Sequence, residues 1–206
     1  MRSAVDALDH LVLATPDLSA TTAWFAEATG VEPTVGGRHV GRGTHNVLCS
    51  LGPTSYLEIV GPDPDQAEPS GGRPFGIDRL TSPTIVGWAI AVADMDAAIA
   101  GARQGGVDPG VATAMERERP DGVTLRWRLT VAPSTTVPFL IDWLGSPHPA
   151  PQSARGLELI SMCARHPRPD QLSDTLAALG VTLDVDTGPE ALLVELRGLA
   201  GNLTFV

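Results

Sequence analysis

The chain has 206 residues, 43% of them hydrophobic, and carries a formal net charge of −10 at pH 7. That length supports one large or two small domains with a real core, and that composition belongs to a globular chain. The acidic balance argues against nucleic acid and anionic membrane as partners. All 14 basic residues are arginine, which removes lysine Schiff-base chemistry and the phosphate-loop lysine.

Motif absences narrow the field further. No apolar run approaches bilayer-spanning length, and the N-terminus lacks the basic and apolar regions of a signal peptide, so a cytoplasmic location is expected. The two cysteines, Cys49 and Cys163, make no zinc-site spacing and read as buried hydrophobes. No Gly-x-Gly-x-x-Gly stands between a strand and a helix, so no nucleotide cofactor is expected. Gly-x-Ser-x-Gly is also absent.

The first predicted element is a buried strand over Leu8–Ala14, stopped by Pro16, which cannot donate to a sheet ladder. Asp17 then caps a helix over 18–29, with Leu18, Thr22, Phe25 and Thr29 on one face, Trp24 beside it, and Gly30 as a left-handed terminator. Strands follow at about 32–38, 46–51 and 55–60, the last two joined by the Gly52-Pro53-Thr54 turn. The unit is βαβββ and covers residues 1–61.

After a Pro/Gly/Asp-rich linker at 62–83, the unit recurs over 84–145. Its strand spans 85–93, Asp94 is the cap, and the helix over 95–104 turns Ile99 and Ala102 inward. Strands are predicted at about 111–117, 123–131 and 139–144, with a turn at Pro120-Asp121-Gly122. A second linker covers 146–155. A third βαβββ-like copy occupies 156–206, with strands at 157–165, 181–186, 191–197 and 203–206. Asp170 is its expected cap, and Leu172, Leu176 and Leu179 form a helical stripe before Gly180. The fold class expected from this repetition is α+β. The third copy's Leu157, Leu159, Ile160, Leu192, Leu193 and Leu196 need cover. Either the barrel or a second chain in a homodimer supplies it.

Asp9-His10-Leu11-Val12-Leu13-Ala14…Asp17-Leu18 resembles the first strand of the vicinal oxygen chelate superfamily, and Ser55-Tyr56-Leu57-Glu58-Ile59-Val60 resembles its fourth. Within that superfamily the chain is most similar to glyoxalase-like domain proteins. The likeness rests on Gly36-Gly37-Arg38-His39…Gly43-Thr44-His45-Asn46, Arg119-Pro120-Asp121-Gly122, Arg126-Trp127-Arg128, Phe139-Leu140-Ile141-Asp142-Trp143 and Pro147-His148-Pro149. The resemblance implies that the tandem modules pair edge to edge into a half-open barrel around a divalent metal such as Mn, Fe, Zn or Ni. His10, Glu58 and Asp142 are the implied ligands. The second module's expected histidine is replaced by Gly87, beside Trp88, and the third module offers only Thr204 and Phe205. In that setting Glu58 is the implied base.

Other candidates come from position. Arg126 and Arg128 share one strand face, which is either a concave anion-binding face or a solvated outer face. Trp88, Trp127 and Trp143 are core residues or a stacking wall. His45 precedes a strand expected beside that of Glu58 and so joins the site as a catalytic candidate. His39 reads as a solvated loop residue. His148 reaches a pocket only if its linker folds over it. Glu116-Arg117-Glu118-Arg119 reads as a solvated hairpin end. Two functions stand on these grounds. One is a glyoxalase-like lyase or isomerase acting on a small oxygenated metabolite at a metal or polar centre. The other is a non-catalytic, antibiotic-type small-molecule binder.

Overall fold

A computed structural model describes residues 1–119 and 121–206. The chain opens with β1 (Arg2–Ser3), the single-turn helix α1 (Ala4–Ala7), β2 (Leu8–Ala14), α2 (Leu18–Thr29), β3 (Thr34–His39), β4 (Thr44–Gly52) and β5 (Ser55–Pro62). It continues with β6 (Thr84–Ala91), α3 (Met95–Gln104), β7 (Thr113–Glu118), β8 (Thr124–Leu129) and β9 (Phe139–Asp142). The remainder holds β10 (Glu158–His166), α4 (Pro169–Ala178), β11 (Val181–Thr182), β12 (Val185–Thr187), β13 (Ala191–Arg197) and β14 (Asn202–Phe205). The turn expected at Pro120-Asp121-Gly122 includes Pro120, which lies outside the described residues.

The helix punctuation follows from local chemistry. Asp17 accepts from the Ala20 N–H at 2.9 Å and Asp94 from the Ala97 N–H at 3.0 Å, each filling an orphan donor of the first turn. Gly30 ends α2 at φ +69°, a left-handed conformation that favours glycine. α4 departs from expectation. Its cap position is Arg168, Pro169 opens the helix, and Asp170 lies in the first turn. In α2 the buried face carries Thr21 rather than Thr22, and Trp24 is exposed.

The α+β fold with tandem βαβββ modules is present. Its strand pairing runs a full circuit, β2-β5-β4-β3-β7-β8-β9-β6, so the expected half-open sheet is a closed eight-stranded barrel. The modules meet at two antiparallel seams related by their repeated topology. At one, β2 lies along β6 with Leu11 opposite Trp88. At the other, β3 meets β7 through only Arg38–Glu118 and His39–Arg117. Gly37 makes the second seam feasible, because a Cβ there would run into the Glu118 carbonyl.

Alternation along the strands separates two faces. Leu11, Leu13, Leu57 and Ile59 point outward into a core shared with α2 and α3. His10, Tyr56, Glu58 and Val60 point inward. The third unit forms a separate four-stranded sheet, β12-β10-β13-β14, and β11 pairs with the N-terminal β1. Leu157, Leu192 and Leu196 join the same core as Leu11 and Trp88, so this face is covered within one chain. Leu159 packs against that core, while Leu193 is half-buried outside it and Ile160 stays exposed, next to a bulge in the β10–β13 ladder. The predicted strand at 181–186 is broken into β11 and β12. Among the described residues, no helix is long and apolar enough to cross a membrane.

Candidate functional site

The barrel encloses a cavity of about 450 Å³, within the range of small-molecule sites. Its polar groups cluster on β2, β3, β4, β5 and β7. Tyr56, Trp127, Phe139 and Trp143 give its apolar wall an aromatic part, beside Val60, Val86, Met115, Leu129 and Ile141. Phe75, at φ +60° in the 3₁₀ segment Pro74–Arg79, stands beside Phe139 with ring centroids 6.4 Å apart.

Glu58 occupies the centre of the polar cluster and is 7% exposed. Its Oε1 accepts from the Asn46 side-chain amide at 2.5 Å. The Asn46 orientation is fixed from behind, because Asn46 Oδ1 accepts from Arg117 Nη1 at 2.9 Å and an arginine can only donate. Glu58 Oε2 faces His10 Nε2 at 3.9 Å, and Oε1 lies 3.5 Å from His39 Nε2.

His10 is oriented by Asp9, whose Oδ1 lies 2.7 Å from His10 Nδ1. Asp9 is also the hub for the linker that follows β9. Its Oδ2 accepts from Trp143 Nε1 at 2.9 Å and from His148 Nε2 at 3.2 Å. The Ala150 N–H donates to His148 Nδ1, which leaves the proton of that ring on Nε2. Burial alone would raise the Asp9 carboxyl. The hydrogen bonds from His10 and His148 outweigh it and hold Asp9 well below the usual carboxylate range. With Nδ1 committed to Asp9, a neutral His10 presents the Nε2 lone pair toward Glu58. The ring stacks on Tyr56 at 4.8 Å.

His39 comes in from β3, with Nδ1 3.0 Å from Thr44 Oγ1 and Nε2 3.4 Å from Asn46 Nδ2. Burial pushes its imidazole below the ordinary value. Glu58 pulls the other way, and Arg117 adds to the depression. Burial likewise pushes the Tyr56 phenol well up, so it stays neutral.

The comparisons with known proteins agree with this architecture. A glyoxalase-like domain family model matches residues 8–180, most of the chain. The chain belongs to the glyoxalase-like domain family. Its fold is that of the vicinal oxygen chelate superfamily. A search of characterised proteins by sequence gives no significant match. Among solved structures, a hypothetical protein from Staphylococcus aureus aligns over 96% of this chain and 84% of its own, with a TM-score of 0.61 and 16% identity. Methylmalonyl-CoA epimerase from Mycobacterium tuberculosis aligns over 69% of this chain and 89% of its own, at TM-score 0.44 and 18% identity. The Streptomyces coelicolor epimerase, in complex with 2-nitronate-propionyl-CoA, aligns over 68% and 95%, at 0.45 and 21%.

Within this glyoxalase-like barrel the predicted site residues divide. His10, Glu58 and Trp143 come together at the cavity. His45 does not. It sits between the cavity-lining Thr44 and Asn46, so alternation turns it to the outer face. Arg126 and Arg128 also face outward and pair with Glu116 and Asp96, while the intervening Trp127 points in. Trp88 is fully buried in the outer core and donates to the Thr136 carbonyl at 3.4 Å. Asp142 follows the inward-facing Ile141, so its carboxylate turns away and accepts from the Leu144 N–H.

The implied metal set of His10, Glu58 and Asp142 therefore does not assemble. Gly87 and Ile141 stand on the cavity-facing second-module strands where donors would be needed, and Phe139 lies in contact range of any side chain placed at Gly87. Among the described residues, no group of three or more His, Cys, Asp and Glu is arranged to hold a metal ion. Without Asp142 the implied set keeps only His10 and Glu58, fewer than the three protein ligands a divalent site uses.

Sequence reasoning missed His39, Asn46, Asp9 and Arg117. Strand parity was the available signal. Arg117 stands opposite Leu125, and Met115 opposite Trp127, so the apolar face of β8 marks the inward face of β7.

Proposed function

We propose that this protein is a glyoxalase-like enzyme that binds a small oxygenated metabolite in the barrel and moves a proton on it, with isomerase or lyase outcome. The observation that supports this reading best is the state of Glu58. One oxygen is held by Asn46, and the other is open to the cavity beside His10 Nε2. A buried carboxylate held at one oxygen is a positioned proton acceptor.

In this chemistry a C–H bond next to a carbonyl breaks, its proton goes to Glu58 Oε2, and its electron pair moves into the carbonyl to give an enolate. Return of the proton to a neighbouring atom or the opposite face gives an isomer. Expulsion of an adjacent leaving group gives a lyase product. His10 can hold the proton in passing, since the imidazolium that forms is matched by ionised Asp9. Asn46 keeps the Glu58 carboxylate in place without neutralising it.

Solvent deuterium incorporation into small hydroxy- and oxo-compounds, read by mass spectrometry, tests this reading. The wild-type protein is expected to exchange at least one of them, and Glu58→Gln to slow that exchange by about 10²–10⁴-fold. Exchange that ignores Glu58→Gln overturns it. The aromatic wall of Tyr56, Trp127, Phe139 and Trp143 favours a second reading, non-catalytic binding of an antibiotic-type molecule. Tight binding with the ligand recovered unchanged, and no exchange, would select that one.

A further inference from the structure

The proton chemistry leaves one buried charge unused. Arg117 lies on β7, is 4% exposed, and lines both the cavity and a smaller pocket beside Gly36. Its side-chain hydrogen bond is the one to Asn46 Oδ1, and the charge it faces is Glu58, one amide away and not in direct contact. An arginine stays charged at any relevant pH and carries five donors in a planar fork. Burying such a group with most of that fork uncommitted is costly unless an anion completes it.

The surroundings are shaped to hold this guanidinium where it is. A Cβ at Gly36 would collide with both Arg117 Nη1 and Asn46 Oδ1, so glycine there is what lets the two meet. The contrast with the other arginines of the hairpin is sharp. Arg119 is paired with Asp121, Arg126 with Glu116 and Arg128 with Asp96, all away from the cavity.

We propose that the cavity's ligand is a small monocarboxylate, an oxo- or hydroxy-acid, and that Arg117 receives its carboxylate. The assignment rests on the reading of Glu58 as proton acceptor and names the substrate class for it. Arg117 and Glu58 are separated by a single amide, that of Asn46. A ligand that spans them has its anionic oxygens and its acidic C–H only a few bonds apart. In a 2-oxo acid the carboxylate, the carbonyl and the C–H beyond it have that order. Two arginines line the cavity, Arg117 and the exposed Arg42, whose Nη2 rests on Met115 Sδ. Arg117 is the buried one, a single amide from Glu58, so its planar fork is the one placed to take a carboxylate next to the reacting C–H. The aromatic and apolar remainder of the cavity suits the acid's side chain.

Calorimetry with 2-oxo acids graded from pyruvate to phenylpyruvate, each beside its uncharged methyl ester, tests the inference. The acids are expected to bind and the esters to bind at least tenfold more weakly. Arg117→Gln should weaken the acids by about 10- to 100-fold with little effect on the esters, and Arg117→Lys should recover part of the loss. Equal binding of acid and ester, no binding of any acid at millimolar concentration, or acid binding unchanged in Arg117→Gln would each overturn it. Should Arg117→Gln fail to fold, the acid-to-ester ratio of the wild-type protein decides alone. Acid binding that persists in Glu58→Gln, with no deuterium exchange in the wild type, keeps the carboxylate site and removes the catalytic reading. Exchange of the esters that requires Glu58 and ignores Arg117 does the reverse.

Discussion

Asp9 and His39 tie stability to acid in two separate pH windows. The Asp9 carboxyl is held below its ordinary value of 3.8, so its contribution is present above that value and is lost as pH falls below it. The His39 imidazole is also held low. Below about 6.5 the unfolded chain takes up its proton before the folded one does, so stability falls with pH from that point downward. Chemical denaturation between pH 8 and pH 3 should show both slopes. His39→Gln is expected to flatten the upper one and Asp9→Asn the lower one, with Asp9→Asn also losing about 1–3 kcal/mol at pH 7 from its broken hydrogen bonds. An unchanged pH profile in both variants would contradict the assignment. His10 was legible in the sequence as an ionisable side chain set inside an apolar strand, and Glu58 through the resemblance of its strand to the fourth strand of the superfamily. His39 was not, because Gly36 and Gly37 erase the side-chain pattern that would show which way β3 faces. Arg117 was hidden inside a run of alternating charge, Glu116-Arg117-Glu118-Arg119, which ordinarily marks a solvated strand.

Elements with strong local punctuation were the ones read well. Leu8–Ala14 and Ala191–Arg197 have the predicted bounds, and the Asp17 and Asp94 caps lie where predicted. The failures come where tertiary contact decides. The interior of the barrel is chosen by pairing across strands, and that choice put Arg126, Arg128, His45 and Asp142 outside. The β13–β14 hairpin shows the same dependence. Its loop rests on the end of α2, where the Ala200 N–H donates to the Thr29 carbonyl at 2.8 Å. A Cβ at Gly198 would collide with the Thr29 backbone. Gly198→Ala is therefore expected to destabilise by about 1–3 kcal/mol. Gly101 is the opposite case, exposed within α3 with open space around its missing Cβ. Gly101→Ala should stabilise by about 0.5–1 kcal/mol through helix propensity. Denaturant midpoints of the two variants, moving in opposite directions from the wild type, check the pair.

At the scale of the whole molecule, the third unit is a structural partner of the barrel. Leu157, Met162, Leu172, Leu176, Leu192 and Leu196 belong to one buried cluster with Leu11, Leu13, Phe25, Trp88 and Met95. The dimer anticipated from the sequence loses the apolar face that argued for it. The N-terminus reinforces the attachment, since Arg2 and Ser3 pair with Val181 and Thr182. A core shared in this way makes barrel and third unit unfold together, because neither buries its outer face alone. Thermal unfolding should accordingly give one transition by both far-ultraviolet circular dichroism and tryptophan fluorescence. The tryptophans at 88, 127 and 143 report the barrel, whereas the third unit has none. Leu196→Ala, at a fully buried position in the third unit, should cost about 2–5 kcal/mol and lower the fluorescence and dichroism midpoints by the same amount. Removal of residues 156–206 should go further and leave a barrel that binds hydrophobic dye and aggregates, because Leu11 and its neighbours lose part of their cover. Two separated transitions, or a Leu196→Ala variant whose tryptophan midpoint stays at the wild-type value, would show instead that the barrel stands on its own core.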